Sequence, residues 1–398
     1  MGFDETKHEL ESLAEIRELN ASFPYNTYVK EWKEGGKRVM GWFGNYCPEE
    51  VIYAAGILPY RILGGFEEFP LNKANAYFYP TSCSTVRSCF QLAFEGQYDF
   101  FDGFVVWHPC EHARRFYDVW TYWIKPPFHY AGSLLFIHGD ETVRHYREGL
   151  VDFKSKLEEF TGDKIEDKAL REAIGLYNRT RELLGQLNEL RKSDHPPISG
   201  AEALEIMNAC LATPKEPFNR ILEKLVKEAK AIRRPWPNKE ARIMFTGSMW
   251  NNPNFLKFIE DRGCLIVVND LSTGMRYWTD LVEVDAEPLD ALAQRYVNRY
   301  LPCNSFYPWE PRIDRMVETA KAYRVDGVVN NLVRYCVALG FMRPLIKEKF
   351  TEEGIPFYDL EQMYGAKESG QVKTRIQAFL EMIEFAKEES EELFVQGG

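Results

Sequence analysis

The chain has 398 residues, enough to bury a large core and to split into two or three domains. Its 60 acidic against 49 basic residues leave a net charge of −11, without the basic footprint that nonspecific nucleic-acid binding requires. No apolar run approaches the ~18–20 residues of a membrane span, and the first residues lack an apolar signal core. We therefore expect a cytoplasmic protein with neither a nucleic-acid nor a membrane partner.

In chain order, residues 4–33 read as helical, with Leu10, Leu13, Ile16 and Leu19 at helix spacing. Val39, Trp42 and Phe43 are strand-like, and Gly44-Asn45 makes a turn. Pro48 suits the first position of a helix over Glu49–Ala55, closed by Gly56. Leu58–Leu63 reads as the next strand, and Thr81-Ser82-Cys83-Ser84 caps a helix running to about Glu95. Phe104–Trp107 is a short, continuous apolar run of the kind found in buried parallel strands. Pro109 stops it and Glu111 opens a helix through Trp123, so Cys110 sits where a strand hands over to a helix. A strand is predicted over Ser133–His138.

From about 140 to 235 the periodicity changes to that of helices. Lys154–Phe160, Lys168–Leu190, Gly200–Leu211 and Asn219–Ile232 all repeat at helix spacing, and Pro235-Trp236-Pro237-Asn238 marks a boundary. A second α/β unit follows. Its predicted strands are Arg242–Thr246, Cys264–Val268, Asp326–Asn330 and Ile355–Tyr358. Its predicted helices are Pro253–Arg262, Pro288–Tyr300, Pro311–Ala322, Leu345–Glu353 and Gln371–Ser390. We thus expect an α/β protein: a first α/β domain with N-terminal helices (1–139), a helical connector (140–237) and a second α/β domain (238–398).

The eight cysteines lack the short regular spacing of a secreted disulfide scaffold, which indicates a reducing compartment. Cys83, Cys110 and Cys336 each fall at the edge of an element, where open sheets bind ligands and a helix N-terminus favours thiolate. The run His108-Pro109-Cys110-Glu111-His112 lacks the paired spacing of zinc ligands. Cys83 and Cys89 project from different sides of one predicted helix and do not suit a single ion. Three thiolates from separate loops suit an iron–sulfur cubane with one non-cysteine position. On spacing alone, buried inert thiols are the more common outcome, and Cys210 and Cys264 are read that way.

Four segments carry a resemblance. They are Pro48-Glu49-Glu50-Val51-Ile52-Tyr53-Ala54-Ala55-Gly56; Cys83 with Phe94-Glu95-Gly96; Asp102-Gly103 through Cys110 to Arg114-Arg115; and Asp326-Gly327-Val328-Val329 with Cys336 and Gly354-Ile355-Pro356. The closing Gly370-Gln371 with Thr374-Arg375 adds to them. Together they resemble the iron–sulfur subunits shared by benzoyl-CoA reductases and 2-hydroxyacyl-CoA dehydratases, over most of the chain. The resemblance implies two flavodoxin-like (Rossmann-like) parallel-sheet domains around a [4Fe–4S] cluster held by Cys83, Cys110 and Cys336, its open iron facing a CoA thioester. It also implies a homologous second subunit in a heterodimer, and an ATP-dependent activator carrying its own iron–sulfur cluster. Two departures stand out: Val337 follows Cys336 where many members have Asp, and Cys47 and Cys303 are additional to some members.

The expected activity is low-potential, single-electron, dearomatising ring reduction of benzoyl-CoA type, a part of anaerobic metabolism. Cys303, the missing Asp and the aromatic residues around Cys110 favour it. The alternatives are a 2-hydroxyacyl-CoA dehydratase, losing water through a ketyl radical, and a double-cubane reductase recruiting Cys47, Cys89 or Cys303. Glu50 is a candidate proton relay, although a carboxylate in a first helical turn already favours the dipole. His108 is a candidate proton donor, with His112 as the alternative, because histidine titrates near neutrality. Thr246-Gly247-Ser248 is a candidate phosphate cradle without a nucleotide signature, and Arg114 and Arg115 are candidates for a CoA phosphate.

Overall fold

A computed structural model describes residues 10–236, 241–299, 307–367 and 369–396. Residues 4–9 of the first predicted helix, Pro237 and Asn238 of the boundary, Tyr300 and Cys303 lie outside the described residues.

Two four-stranded sheets, all parallel, organise the chain. The first contains β1 (Val39–Phe43), β2 (Leu58–Arg61), β3 (Gly103–Trp107) and β4 (Phe128–Gly132), in the order β2-β1-β3-β4. The second contains β5 (Ala241–Gly247), β6 (Cys264–Asp270), β7 (Gly327–Val333) and β8 (Phe357–Gln362), in the order β6-β5-β7-β8. The two orders are the same, which gives the two-domain α/β architecture expected from the sequence. The central strands β1, β3, β5 and β7 are buried almost throughout, as strands covered by helices on both faces must be.

One expected strand is displaced. The apolar run Ser133–His138 is not β4; its Leu135, Phe136 and Ile137 are exposed, and Ile137 makes only an isolated bridge to Tyr307. The strand is the preceding Phe128–Gly132, an edge strand whose central residues face solvent and so show no continuous apolar signal. The helix expected from Leu345 begins earlier, at Val337, and carries Pro344 inside it. The expected single N-terminal helix is two within the described residues, Glu11–Ala21 and Thr27–Glu34, broken around Pro24.

The helical segment between the sheets consists of Asp140–Thr161, Asp167–Leu190, Gly200–Leu211 and Lys215–Ala231. These helices share one hydrophobic core with Trp42 and Trp107 from one face of the first sheet. The helix Pro288–Asn298, although it follows β6 in the chain, joins that same core. Asp290 pairs with Arg147 at 2.7 Å, and Tyr296 stacks on Tyr146. A second core lies between the sheets, drawing Phe104 and Val106 from one and Ile243, Phe245 and Val329 from the other. The carboxyl ends of both sheets meet at the seam between them.

Candidate functional site

In an open α/β sheet, ligands bind outside the carboxyl ends of the strands, where the strand order reverses. In the first sheet that point lies between β1 and β3, and in the second between β5 and β7. The loops leaving these strands line one cavity of about 120 Å³. Gly44 and Asn45 follow β1, Pro109 and Cys110 follow β3, Gly247 to Met249 close β5, and Cys336 follows β7. Arg61 at the end of β2 and Ser272 after β6 complete the wall, with Cys83.

Each of these three cysteines is the N-cap residue of a helix. Cys83 precedes Ser84–Phe94, Cys110 precedes Glu111–Trp123, and Cys336 precedes Val337–Glu352. Three partially positive helix ends therefore converge on the cavity. Burial pushes the Cys83 thiol up to about 11; Cys336 adds to the rise, while the Thr85 hydroxyl and the N–H groups of Thr85 and Val86 oppose it. The electrostatic contact between Cys83 and Cys336 spans the seam. Just before Cys336, Tyr335 is held at φ 70°, a left-handed conformation uncommon for a bulky residue and typical of tightly determined sites.

Two glycines fix the loops. Gly247 has φ 136°, and a Cβ there would lie 2.2 Å from the Asn331 carbonyl oxygen. Gly44 has φ 96°, and a Cβ there would press on Pro109 and the Trp107 carbonyl at 3.1 Å. Only glycine lets β1 and β5 turn away this close to their neighbours.

Arg61 is 1% exposed. It donates to the Ser272 carbonyl at 2.6 Å and to the Asn45 Oδ1 at 2.8 Å, which ties the two switch points together. Arg276 forms a two-pronged pair with Asp270 at 2.8 and 2.7 Å, and Thr246 donates to the same carboxylate at 2.6 Å. The guanidinium of Arg276 holds the Asp270 carboxyl well below the usual carboxylate range despite its burial. His112 also lines the cavity, accepting from the Cys83 N–H through Nδ1 at 3.5 Å. Burial lowers its pKa, so the ring is neutral at pH 7.

Of the other candidate residues, Gly247 and Ser248 of the expected phosphate cradle share the wall, and the rest lie elsewhere. Glu50 is fully buried in an ion pair with Arg181, and accepts from the Tyr296 hydroxyl at 2.9 Å. It is not part of the cavity wall. Burial raises its carboxyl, but Arg181 and Arg295 outweigh that and hold it below the usual value. His108 is also outside the wall, set edge-to-face against Tyr117, and burial lowers its pKa. Trp107 belongs to the core, packed on Tyr146 and Phe153. Arg115 pairs with Glu111 and Asp118 on its own helix. In the expected phosphate cradle, the Ser248 N–H donates to the Asn331 carbonyl and its Oγ accepts from the Val333 N–H, so this group is spent on the fold. Cys210 lies beside Lys215, and Cys264 donates to the Ile259 carbonyl; Cys47 and Cys89 are buried in separate cores. None of these four cysteines lines the cavity.

A sequence profile of the family described as "2-hydroxyglutaryl-CoA dehydratase, D-component" matches residues 45–383. The chain belongs to this family. The span contains the three cysteines and every cavity residue except Phe43 and Gly44. Among the relatives of this dehydratase-family chain is the (R)-phenyllactyl-CoA dehydratase beta subunit of Clostridium sporogenes, 26% identical over 90% of this chain and 96% of that protein. A benzoyl-CoA reductase subunit of Thauera aromatica is 25% identical over 87% of this chain and 91% of its own length. The (R)-2-hydroxyglutaryl-CoA dehydratase beta subunit of Acidaminococcus fermentans is 24% identical over 93% and 98%. The kinship is thus to enzyme subunits of two reaction types.

The donor set tells what kind of group suits the cavity. Among the described residues, no three His, Cys, Asp or Glu side chains are gathered tightly enough to hold a single metal ion. The three thiols instead line a cavity of about 120 Å³. Soft sulfur donors spread around such a space fit a polynuclear iron–sulfur group rather than a lone hard cation. Arg61, which carries this wall with the cysteines and His112, has no sequence motif around it. Arg61 ends an ordinary strand, and its signal was a charged residue closing an otherwise apolar run.

Proposed function

We propose that the chain is the iron–sulfur subunit of an enzyme acting on a CoA thioester, with Cys83, Cys110 and Cys336 holding a [4Fe–4S] cluster. The observation that carries this reading is that three cysteines, drawn from both sheets and each an N-cap, line one cavity at the two switch points. Such a cluster supplies single electrons at low potential. The chain's own residues provide the surroundings: Phe43, Val86 and Met249 keep the wall apolar, and the helix ends favour negative charge.

Ring reduction of benzoyl-CoA type is the first reading of the reaction, supported by the reductase relative and by Val337 in place of an acidic residue after Cys336. Dehydration of a 2-hydroxyacyl-CoA is the second, supported by the family description and by the phenyllactyl-, lactoyl- and 2-hydroxyglutaryl-CoA dehydratase relatives. A homologous second subunit is part of the proposal, since each of these relatives is named as one subunit of its enzyme. So is an ATP-dependent activator that delivers the electrons.

Iron and sulfide quantification of the full chain, purified under strict anoxia, tests the cluster. About four irons per chain are expected, and about eight would support a double cubane. A chain free of iron and sulfide under those conditions sinks the proposal. Turnover by the complex with its partner and activator separates the reactions: benzoyl-CoA reduced with stoichiometric electron use, or phenyllactyl-CoA losing water without net electron use.

A further inference from the structure

Two arginines near the cysteines are buried without an acidic partner. Arg61, 1% exposed, bonds only to neutral groups: the Ser272 carbonyl and hydroxyl, the Asn45 amide oxygen and, at 3.8 Å, the Met249 sulfur. Arg87, one turn into the helix that Cys83 caps, is 5% exposed and donates to the Asn75 Oδ1 at 2.8 Å. The Nε of each has no hydrogen-bond partner among the described residues, and none of their carboxylates lies within ion-pair distance of either arginine. Glu49 acts on Arg61 at longer range, but Lys215 faces that carboxylate at 4.0 Å. Burial lowers Arg61 to about 10, so it stays protonated at neutral pH. Of the other buried arginines of this region, Arg181 has Glu50 and Arg276 has Asp270, whereas Arg299 also bonds only to carbonyls, those of Tyr277 and Asn45, and adds to the positive charge behind the Asn45 loop.

A buried charge without a partner is costly, and native interiors avoid it. Here the cost coincides with three helix N-termini aimed into one cavity, each adding positive potential. The electrostatics are unbalanced as long as the cavity holds nothing negative. We infer that Arg61, assisted by Arg87, is the built-in counter-charge for an anionic group held at Cys83, Cys110 and Cys336, and that it favours the more negative, reduced state of that group. This rests on the proposed cluster: three thiolates around an iron–sulfur core make an anion, and each added electron makes it more negative. A fixed cation in a low-dielectric wall stabilises the reduced form more than the oxidised one. Neither arginine is asked to transfer a proton or touch the substrate.

The experiment compares the anoxic, iron-loaded full chain with Arg61→Gln, Arg61→Lys and Arg87→Gln by spectroscopic redox titration. Glutamine removes the charge and leaves an uncharged amide two bonds short of the Nη atoms that reach Ser272 and Asn45, and lysine keeps the charge. Arg61→Gln is expected to shift the midpoint potential to more negative values, Arg61→Lys to stay near the parent, and Arg87→Gln to shift the same way by less. Equal potentials in all four proteins, or equal shifts for Gln and Lys, overturn the inference. If Arg61→Gln fails to fold, the Arg87→Gln comparison decides it. If the chain takes up no iron, the cluster reading fails and the counter-charge is judged separately. The probe is then the ratio of Cys336 alkylation rates by iodoacetate and iodoacetamide in the iron-free chain, in which the thiolate fraction cancels. A ratio several-fold above that of free cysteine, falling in Arg61→Gln, supports the counter-charge; the same ratio in the parent and in both Gln variants overturns it.

Discussion

At the scale of single residues, the cysteines divide by position rather than by type. Cys83, Cys110 and Cys336 stand at helix starts on the cavity wall, whereas Cys210 and Cys264 are buried against backbone carbonyls and a lysine. Replacing any of the first three by serine exchanges a soft ligand for a hard one. Cys83→Ser, Cys110→Ser and Cys336→Ser should each lose bound iron, and Cys210→Ser and Cys264→Ser should keep it, as measured by iron and sulfide content. Full iron in Cys110→Ser would remove that residue from the ligand set. Glu50 gives a different kind of prediction. Its carboxylate is the partner of a fully buried guanidinium, so Glu50→Gln leaves Arg181 uncompensated. Breaking a buried pair from one side costs about 3–5 kcal/mol. Urea denaturation of the iron-free chain should show a loss of that order, while a stability equal to the parent would point to a role for Glu50 outside the ion pair.

At the scale of elements, Asp270 joins three of them: it ends β6, accepts from Thr246 on β5, and pairs with Arg276 on the helix Met275–Trp278. Its native carboxyl titrates far below that of the unfolded chain, near 4. On acidification the unfolded state therefore binds this proton first, and the stability contributed by the pair falls as the pH drops below about 4. Above that value the contribution is complete. The parent should lose stability steeply below pH 4, and Asp270→Asn should start lower but show a flatter pH dependence there. Parallel curves for the two proteins would show that other carboxylates set the acid limb. The helix beginning at Val337 illustrates how context overrides a local rule. Pro344 argues for a boundary, yet the helix runs through it, since burial of Leu339, Met342, Ile346 and Phe350 on one side holds both halves in line.

At the scale of the whole molecule, the cavity exists only because two sheets of the same topology present their carboxyl edges to one another. Cys83 and Cys110 come from the first and Cys336 from the second, so any group they hold is sensitive to how the seam opens. A seam that admits a thioester also admits dioxygen. Exposure of the iron-loaded chain to air should therefore release iron and abolish activity quickly, and bound CoA thioester should slow both. By mass action a ligand contacting both sheets also raises apparent stability, by about 2.7 kcal/mol at 100 times its Kd. Iron and activity that persist through hours in air, with and without thioester, would indicate a closed structural site instead. No helix among the described residues is long and apolar enough to cross a membrane.

By itself the sequence determined the local pieces: the apolar runs of the central strands, the helix periodicity of 140–235, and the turn and cap residues that place Cys83, Cys110 and Cys336 at element edges. These are legible because strand burial and helix amphipathicity write a period into the chain. The edge strand β4 escaped that reading, as its middle faces solvent and carries no such period. Only the tertiary structure decided which edges meet. It placed His112 rather than His108 in the cavity wall, committed Glu50 to Arg181, and left Arg61 buried beside the thiols without an acid. Those outcomes depend on contacts between residues far apart in the chain, such as Arg61 with Ser272, and no local periodicity encodes the partner of a buried charge.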